Sequence, residues 1–149
     1  ETANHNPWGM LILYGAGITI ATAFTASGLS QTIGDTLSGL STLPVLVVML
    51  VVCLSVTFLT ETTSNTATTT LLMPILAAGA LGAGIDPKLL MIPAAMSASC
   101  AFMLPVATAP NVIVFGTGRV SIDTMAKEGF ALNLIGAVVI SLVCYLTFT

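Results

Sequence analysis

The chain has 149 residues, of which 56% are hydrophobic and only 6% charged, where a soluble domain carries about a quarter charged residues. With a mean hydropathy of +1.05, that composition excludes an ordinary soluble globule and describes a membrane protein. The formal net charge of −3 excludes a basic nucleic-acid surface, so no nucleic-acid partner is expected.

The charges fall at Glu1, Asp35, Glu61, Asp86, Lys88, Arg119, Asp123, Lys127 and Glu128. Between them lie uncharged windows at 36–60, 62–85, 89–118 and 129–149, and 2–34 holds only His5. A span needs roughly 20 apolar residues, so each window is long enough to reach into or across a bilayer. The chain opens on Glu1-Thr2-Ala3-Asn4 with no basic segment and no Met. This is not a signal peptide, and the abrupt start reads as a segment of a longer polypeptide.

The first element is an apolar run at 8–30, opened by Trp8, a residue favoured at the headgroup level. It is expected to be a transmembrane helix, followed by a connection over 31–43 rich in Gly, Ser and Thr. Ser41 and Thr42 before Pro44 mark the next helix start. The run at 44–59 stops at TETTSNTATTT (60–70), and a second run continues over 67–83. Two arms too short for a comfortable span, joined by a polar tip, predict a re-entrant hairpin over 44–84. Irregular backbone at membrane depth is tolerated only where protein buries it or where it lines a cavity.

Asp86-Pro87 is an N-cap and first-turn pair, and it begins a helix running to about Leu104. Pro105 cannot donate to the carbonyl of Ala101, nor Pro110 to that of Val106. A broken transmembrane helix over 85–120 is therefore expected, resuming at 111–117. Arg119 to Glu128 reads as a charged loop with a short helix starting at Ser121, and 129–149 as the last span. With these crossings Arg119 and Lys127 share one side and Lys88 the other, which places the first side in the cytoplasm. The fold class is thus an all-α polytopic membrane protein.

The two polar breaks share a design. Helix N-termini offer free N–H groups and partial positive charge, suited to a carboxylate. Free carbonyls and hydroxyls suit a hard cation such as Na⁺. Discontinuous helices holding an anionic substrate and a coupling cation are a recurring transporter device. Ser64, Asn65 and Thr66 are expected to cap the second arm and present donors to an anion, and Thr60 and Thr63 to supply oxygens for a cation. No Lys or Arg lies in either break, so a co-bound cation would balance the anion's charge.

Thr68, Thr69 and Thr70 read instead as packing residues whose hydroxyls bond back to backbone carbonyls or across helix interfaces. Glu61 is an intramembrane acid and reads equally as a proton relay or as a hydrogen-bonded strut for the tip. Cys53, Cys100 and Cys144 have no paired spacing and read as reduced thiols in apolar surroundings. Gly15-Ala16-Gly17 and Gly116-Thr117-Gly118 lack the strand context of nucleotide loops and suit close packing or a helix end. The single His is remote in sequence from every Ser and Cys candidate, so an enzyme is not expected.

TETTSNTATTTLLMPI (60–75), SASCAFMLPVATAPNVIVFGTG (97–118) and WGMLILYGAG (8–17) resemble the C-terminal half of the divalent anion/Na⁺ symporter family, over most of the chain. The resemblance implies one repeat of an inverted-repeat elevator transporter. It implies a homodimer in the cell (inner) membrane, with the N-terminal half of the same transporter completing the pocket. By that resemblance Ser64, Asn65, Thr66, Thr108 and Ala109 would bind a dicarboxylate. Thr60, Thr63, Asn65 and Ala107, the last through its carbonyl, would hold Na⁺. The function implied is sodium-coupled symport of C4-dicarboxylates such as succinate, fumarate or malate. A sodium-independent exchanger of the same family, a proton-coupled carrier using Glu61, and a structural or assembly membrane protein stand as alternatives, and citrate or sulfate as alternative cargo. Family members often read Ala-Thr-Pro-Pro-Asn where this chain has Ala107-Thr108-Ala109-Pro110-Asn111, which returns an N–H at position 109.

Overall fold

The computed structural model describes residues 8–29, 32 and 43–149, and the described residues are helical with no strand. Among the described residues the helices with full bounds are, in order, α1 Trp8–Ala26, α2 Val45–Thr60, α3 Asn65–Gly82, α4 Lys88–Ser97, α5 Ala109–Gly116 and α6 Ile122–Phe148. The Ser41 and Thr42 cap lies outside the described residues. α2 begins behind Pro44, which makes no side-chain cap.

α2 buries Met49, Cys53, Val56, Thr57 and Thr60, a stripe at helical spacing that faces one way. That stripe packs on α6 and α4, while α3 packs on α1 and α4. The main core joins Val48, Met49 and Cys53 of α2, Ala80 of α3, Leu89 and Leu90 of α4, and Ala137, Ile140 and Cys144 of α6. The three cysteines are free thiols.

Small residues let the backbones approach, as at helix contacts in membranes. A Cβ at Gly17 would lie 3.0 Å from the Thr70 methyl and 3.2 Å from its carbonyl oxygen, so α1 and α3 meet there. A Cβ at Gly129 would lie 2.4 Å from the carbonyl oxygen of Phe102 and 2.7 Å from the Cα of Met103. There α6 presses against non-helical backbone. Gly118, past the end of α5, has φ +69°, so the glycine after this helix serves its exit turn.

Several boundaries differ from the sequence expectation: α1 ends at Ala26 rather than 30, and α3 begins at Asn65 rather than 67, so that Ser64 alone is its N-cap. The helix expected to reach Leu104 ends at Ser97, and beyond it the amides of 102–104 and the carbonyls of Ala98, Ala101 and Leu104 are paired by side chains, described below. α5 begins at Ala109 rather than 111, with Thr108 at its N-cap. The short helix and separate last span are one 27-residue helix. Ser121 Oγ accepts from the Thr124 N–H at 3.2 Å and Asp123 sits in the first turn, both favourable at a helix start. Among the described residues searched, α6 is the helix long and apolar enough to cross a membrane, with a mean hydropathy of 2.2 over its most apolar 18-residue window.

Candidate substrate and ion site

The connection between α2 and α3 and the second break face one another across an open cavity of about 540 Å³. Glu61, Thr62, Thr63, Ser64, Asn65 and Thr66 line one side, and Val106, Ala107, Thr108 and Ala109 the other. Every residue singled out for substrate or cation lines this cavity, with the exception of Thr60, which is fully buried behind the tip.

Two helices start here. Ser64 is the N-cap of α3, with extended backbone at φ −67° and ψ 130°, and the first intrahelical bond runs from Thr68 N–H to Ser64 O at 2.8 Å. The N–H groups of Asn65, Thr66 and Ala67 precede that bond. The sequence leads one to expect side-chain capping, but the Ser64 hydroxyl caps nothing. Opposite, Thr108 at φ −141° and ψ 156° is the N-cap of α5, and its side chain accepts from Asn111 N–H. Each start carries the partial positive charge of a helix N-terminus.

Beneath the tip, Thr60 Oγ1 lies 2.5 Å from Asn65 Oδ1 and 2.9 Å from the Ala98 carbonyl oxygen. A hydroxyl has one proton and cannot donate fully to both. Three oxygens therefore converge with one proton among them, a donor set that suits a hard cation. Thr63 is arranged differently. Its hydroxyl lies 2.8 Å from Leu59 O and 2.6 Å from Thr68 Oγ1, turned back against the helices. The carbonyl of Ala107 accepts no hydrogen bond from a described residue, whereas its N–H donates to Leu104 O at 3.2 Å. Thr69 and Thr70 bond back to the carbonyls of Asn65 and Thr66 at 2.8 and 2.7 Å.

Glu61 is 4% exposed. Its Oε1 accepts from the N–H groups of Phe102 and Met103 at 2.8 and 2.9 Å and from Asn133 Nδ2 at 2.7 Å. Its Oε2 accepts from Leu104 N–H at 3.0 Å. All four partners are donors, which is the environment of an acceptor-only carboxylate and matches the strut rather than a relay. Asn111 serves the opposite need, donating through Nδ2 to Ala101 O at 2.8 Å and Leu104 O at 3.0 Å.

Four participants escaped the sequence reading: the Ala98 carbonyl, the 102–104 amides, Asn111 and Asn133. Only the two asparagines left a signal. Asn133 is a lone amide inside an apolar window, and Asn111 directly follows Pro110.

The family model for the sodium:sulfate symporter transmembrane region matches residues 2–148. Among similar proteins, the sodium-dependent dicarboxylate transporter SdcS of Staphylococcus saprophyticus is 51% identical over 145 residues, 97% of this chain. Those of Staphylococcus aureus strains USA300 and NCTC 8325 are each 49% identical over the same share. The chain spans 28% of the length of these relatives. The chain belongs to the sodium:sulfate symporter transmembrane family.

Proposed function

We propose that this chain is one repeat, from the C-terminal half, of a sodium-coupled C4-dicarboxylate symporter of the cell membrane. The observation that carries the reading is the meeting of two helix N-termini across one cavity above a convergence of three oxygens. A substrate carboxylate sits among the Ser64 hydroxyl, the Asn65 amide, the Thr66 hydroxyl and the free N–H groups of α3. Thr108 and Ala109 approach it from the other side, and Ala109 adds an N–H that proline would lack.

Na⁺ is cargo in this reading, held by Thr60, Asn65 and the Ala107 carbonyl, with Ala98 O as a further oxygen. Thr63 contributes by its backbone, since its hydroxyl is engaged elsewhere. The cavity lining holds no Lys or Arg, and its one acid, Glu61, is occupied by four donors. The anion's charge is thus left to helix dipoles and a bound cation, which makes each ligand favour the other.

α2 and α3 form a re-entrant hairpin. Their 16 and 18 residues reach about 24 and 27 Å at 1.5 Å per residue, short of the roughly 30 Å hydrocarbon core. The N-terminal half of the same transporter supplies the inverted repeat and the rest of the pocket. The assembled homodimer carries substrate by an elevator movement.

The test is radiolabelled succinate uptake into empty proteoliposomes carrying the full-length parent protein, with and without an inward sodium gradient. Sodium-dependent accumulation, abolished in Asn65→Ala, is the expected result. Uptake that requires preloaded dicarboxylate and ignores sodium would make the protein an exchanger and refute the sodium assignment.

A further inference from the structure

Thr60 and Glu61 are consecutive, yet they hold different parts of the second break. Thr60 takes the Ala98 carbonyl, and Glu61 takes the three amides of Phe102, Met103 and Leu104. From the far side Asn111, in the first turn of α5, takes the carbonyls of Ala101 and Leu104. The backbone of 98–104 is therefore tied to the hairpin tip at one edge and to α5 at the other. Ala107 and Thr108, three and four residues beyond Leu104, inherit their position from this tie.

α6 completes it. Asn133 is fully buried, and its Nδ2 fixes the Glu61 carboxylate. One turn earlier, Gly129 leaves room for the Phe102 and Met103 backbone. A buried carboxylate with four donors, of which three are consecutive backbone N–H groups, is a geometric clamp. Charge-assisted bonds of this kind are about twice as strong as neutral ones.

We propose that Glu61, oriented by Asn133, is a positioning residue that holds the two walls of the cavity in register. Cation and substrate affinity then both depend on a carboxylate that contacts neither ligand. This rests on the transport reading above and assigns α6, which does not line the cavity, a part in its affinity. It also separates Glu61 from two other roles. A cation ligand would act on sodium alone, and a proton relay would act through pH.

The experiment uses the full-length protein in nanodiscs. It measures radiolabelled succinate binding across sodium concentrations, hydrogen exchange of the 101–105 segment without ligand, and thermal unfolding. Glu61→Gln keeps the shape but places an NH₂ donor against the Leu104 N–H. We expect exchange at 101–105 to rise. The sodium concentration for half-maximal binding and the succinate Kd should both rise about tenfold, the effect of losing roughly one charge-assisted bond. Asn133→Leu retains the carboxylate and should shift all three in the same direction by less, and it carries the test if Glu61→Gln fails to fold.

Faster exchange with wild-type sodium and succinate midpoints would reduce Glu61 to a structural strut and overturn the proposal. A sodium shift alone, with exchange unchanged, would make Glu61 a cation ligand and also overturn it. Absence of sodium-dependent succinate binding in the wild-type protein would instead defeat the transport reading, and this inference with it.

Discussion

Gly129→Ala adds one methyl group where α6 meets the backbone of the second break. The new Cβ would sit 2.4 Å from Phe102 O, 2.5 Å from its carbonyl carbon and 2.7 Å from Met103 Cα, against 3.4 Å for the near edge of ordinary contact. The atoms it meets are backbone, so no side chain can rotate out of the way. Relief requires a shift of about 1 Å, enough to carry a 2.8 or 2.9 Å bond to Glu61 beyond hydrogen-bonding distance. Overpacking of this kind costs about 1–3 kcal/mol, and a bond to a charged group about 1.5–3 kcal/mol. A total near 3 kcal/mol is expected, because the shift that relieves the clash is the one that breaks the bond. Gly136→Ala, on the same helix, is the control, since its Cβ would meet Cys100 Sγ at an ordinary 3.8 Å. The assay is succinate uptake by the full-length protein, with thermal unfolding in detergent. Gly129→Ala should lose most uptake and unfold several degrees lower, while Gly136→Ala matches wild type. Equal behaviour of the two variants would refute the close approach of α6 to the 102–103 backbone.

Two further variants separate cation from anion chemistry at the tip. Thr60→Val keeps the buried shape and removes the oxygen shared by Asn65 and Ala98. The sodium concentration that half-activates uptake should rise at least tenfold, read from uptake against sodium at saturating succinate. Ser64→Ala should leave stability within about 0.5 kcal/mol, unlike a working N-cap whose loss costs about 1 kcal/mol, because this hydroxyl caps nothing. Its succinate Kd should nonetheless rise severalfold, and a fall in the unfolding midpoint without a change in Kd would contradict its assignment to substrate.

What was legible in the sequence was what is local. Polar residues gathered at 60–70 inside an apolar chain announced the tip, and Pro105 and Pro110 announced the second break. Ser64, Asn65, Thr66, Ala107, Thr108 and Ala109 do line a single cavity. The extent of the second break was not legible, because its cause is distant. Glu61 lies 41 to 43 residues from the amides it holds, and Asn133 lies 72 residues from Glu61. No spacing rule connects such positions. The boundary at Ser121 was visible as a cap, but whether Lys127 and Glu128 belong to a loop or to a continuing helix depends on Met125 and Gly129 being buried, which is a packing fact.

The prolines also show why a local rule overreaches. Pro74 and Pro93 lie inside α3 and α4 without ending them, so a missing N–H does not by itself unwind a membrane helix. Unwinding from Ala98 onward begins before Pro105 is reached. It persists because polar groups that leave the helical ladder find substitutes: the amides of 102–104 find Glu61, and the carbonyls of Ala101 and Leu104 find Asn111. The carbonyl that Pro105 could not serve in a continuous helix is that of Ala101, and Asn111 Nδ2 serves it at 2.8 Å. In a medium without water an unpaired carbonyl costs several kcal/mol. The break is therefore held open by side chains that pair its backbone, with the proline only making the helical alternative poorer. The Ala107 carbonyl, which no described residue pairs and which belongs to a residue lining the cavity, is in the proposed reading a backbone oxygen available to a cation.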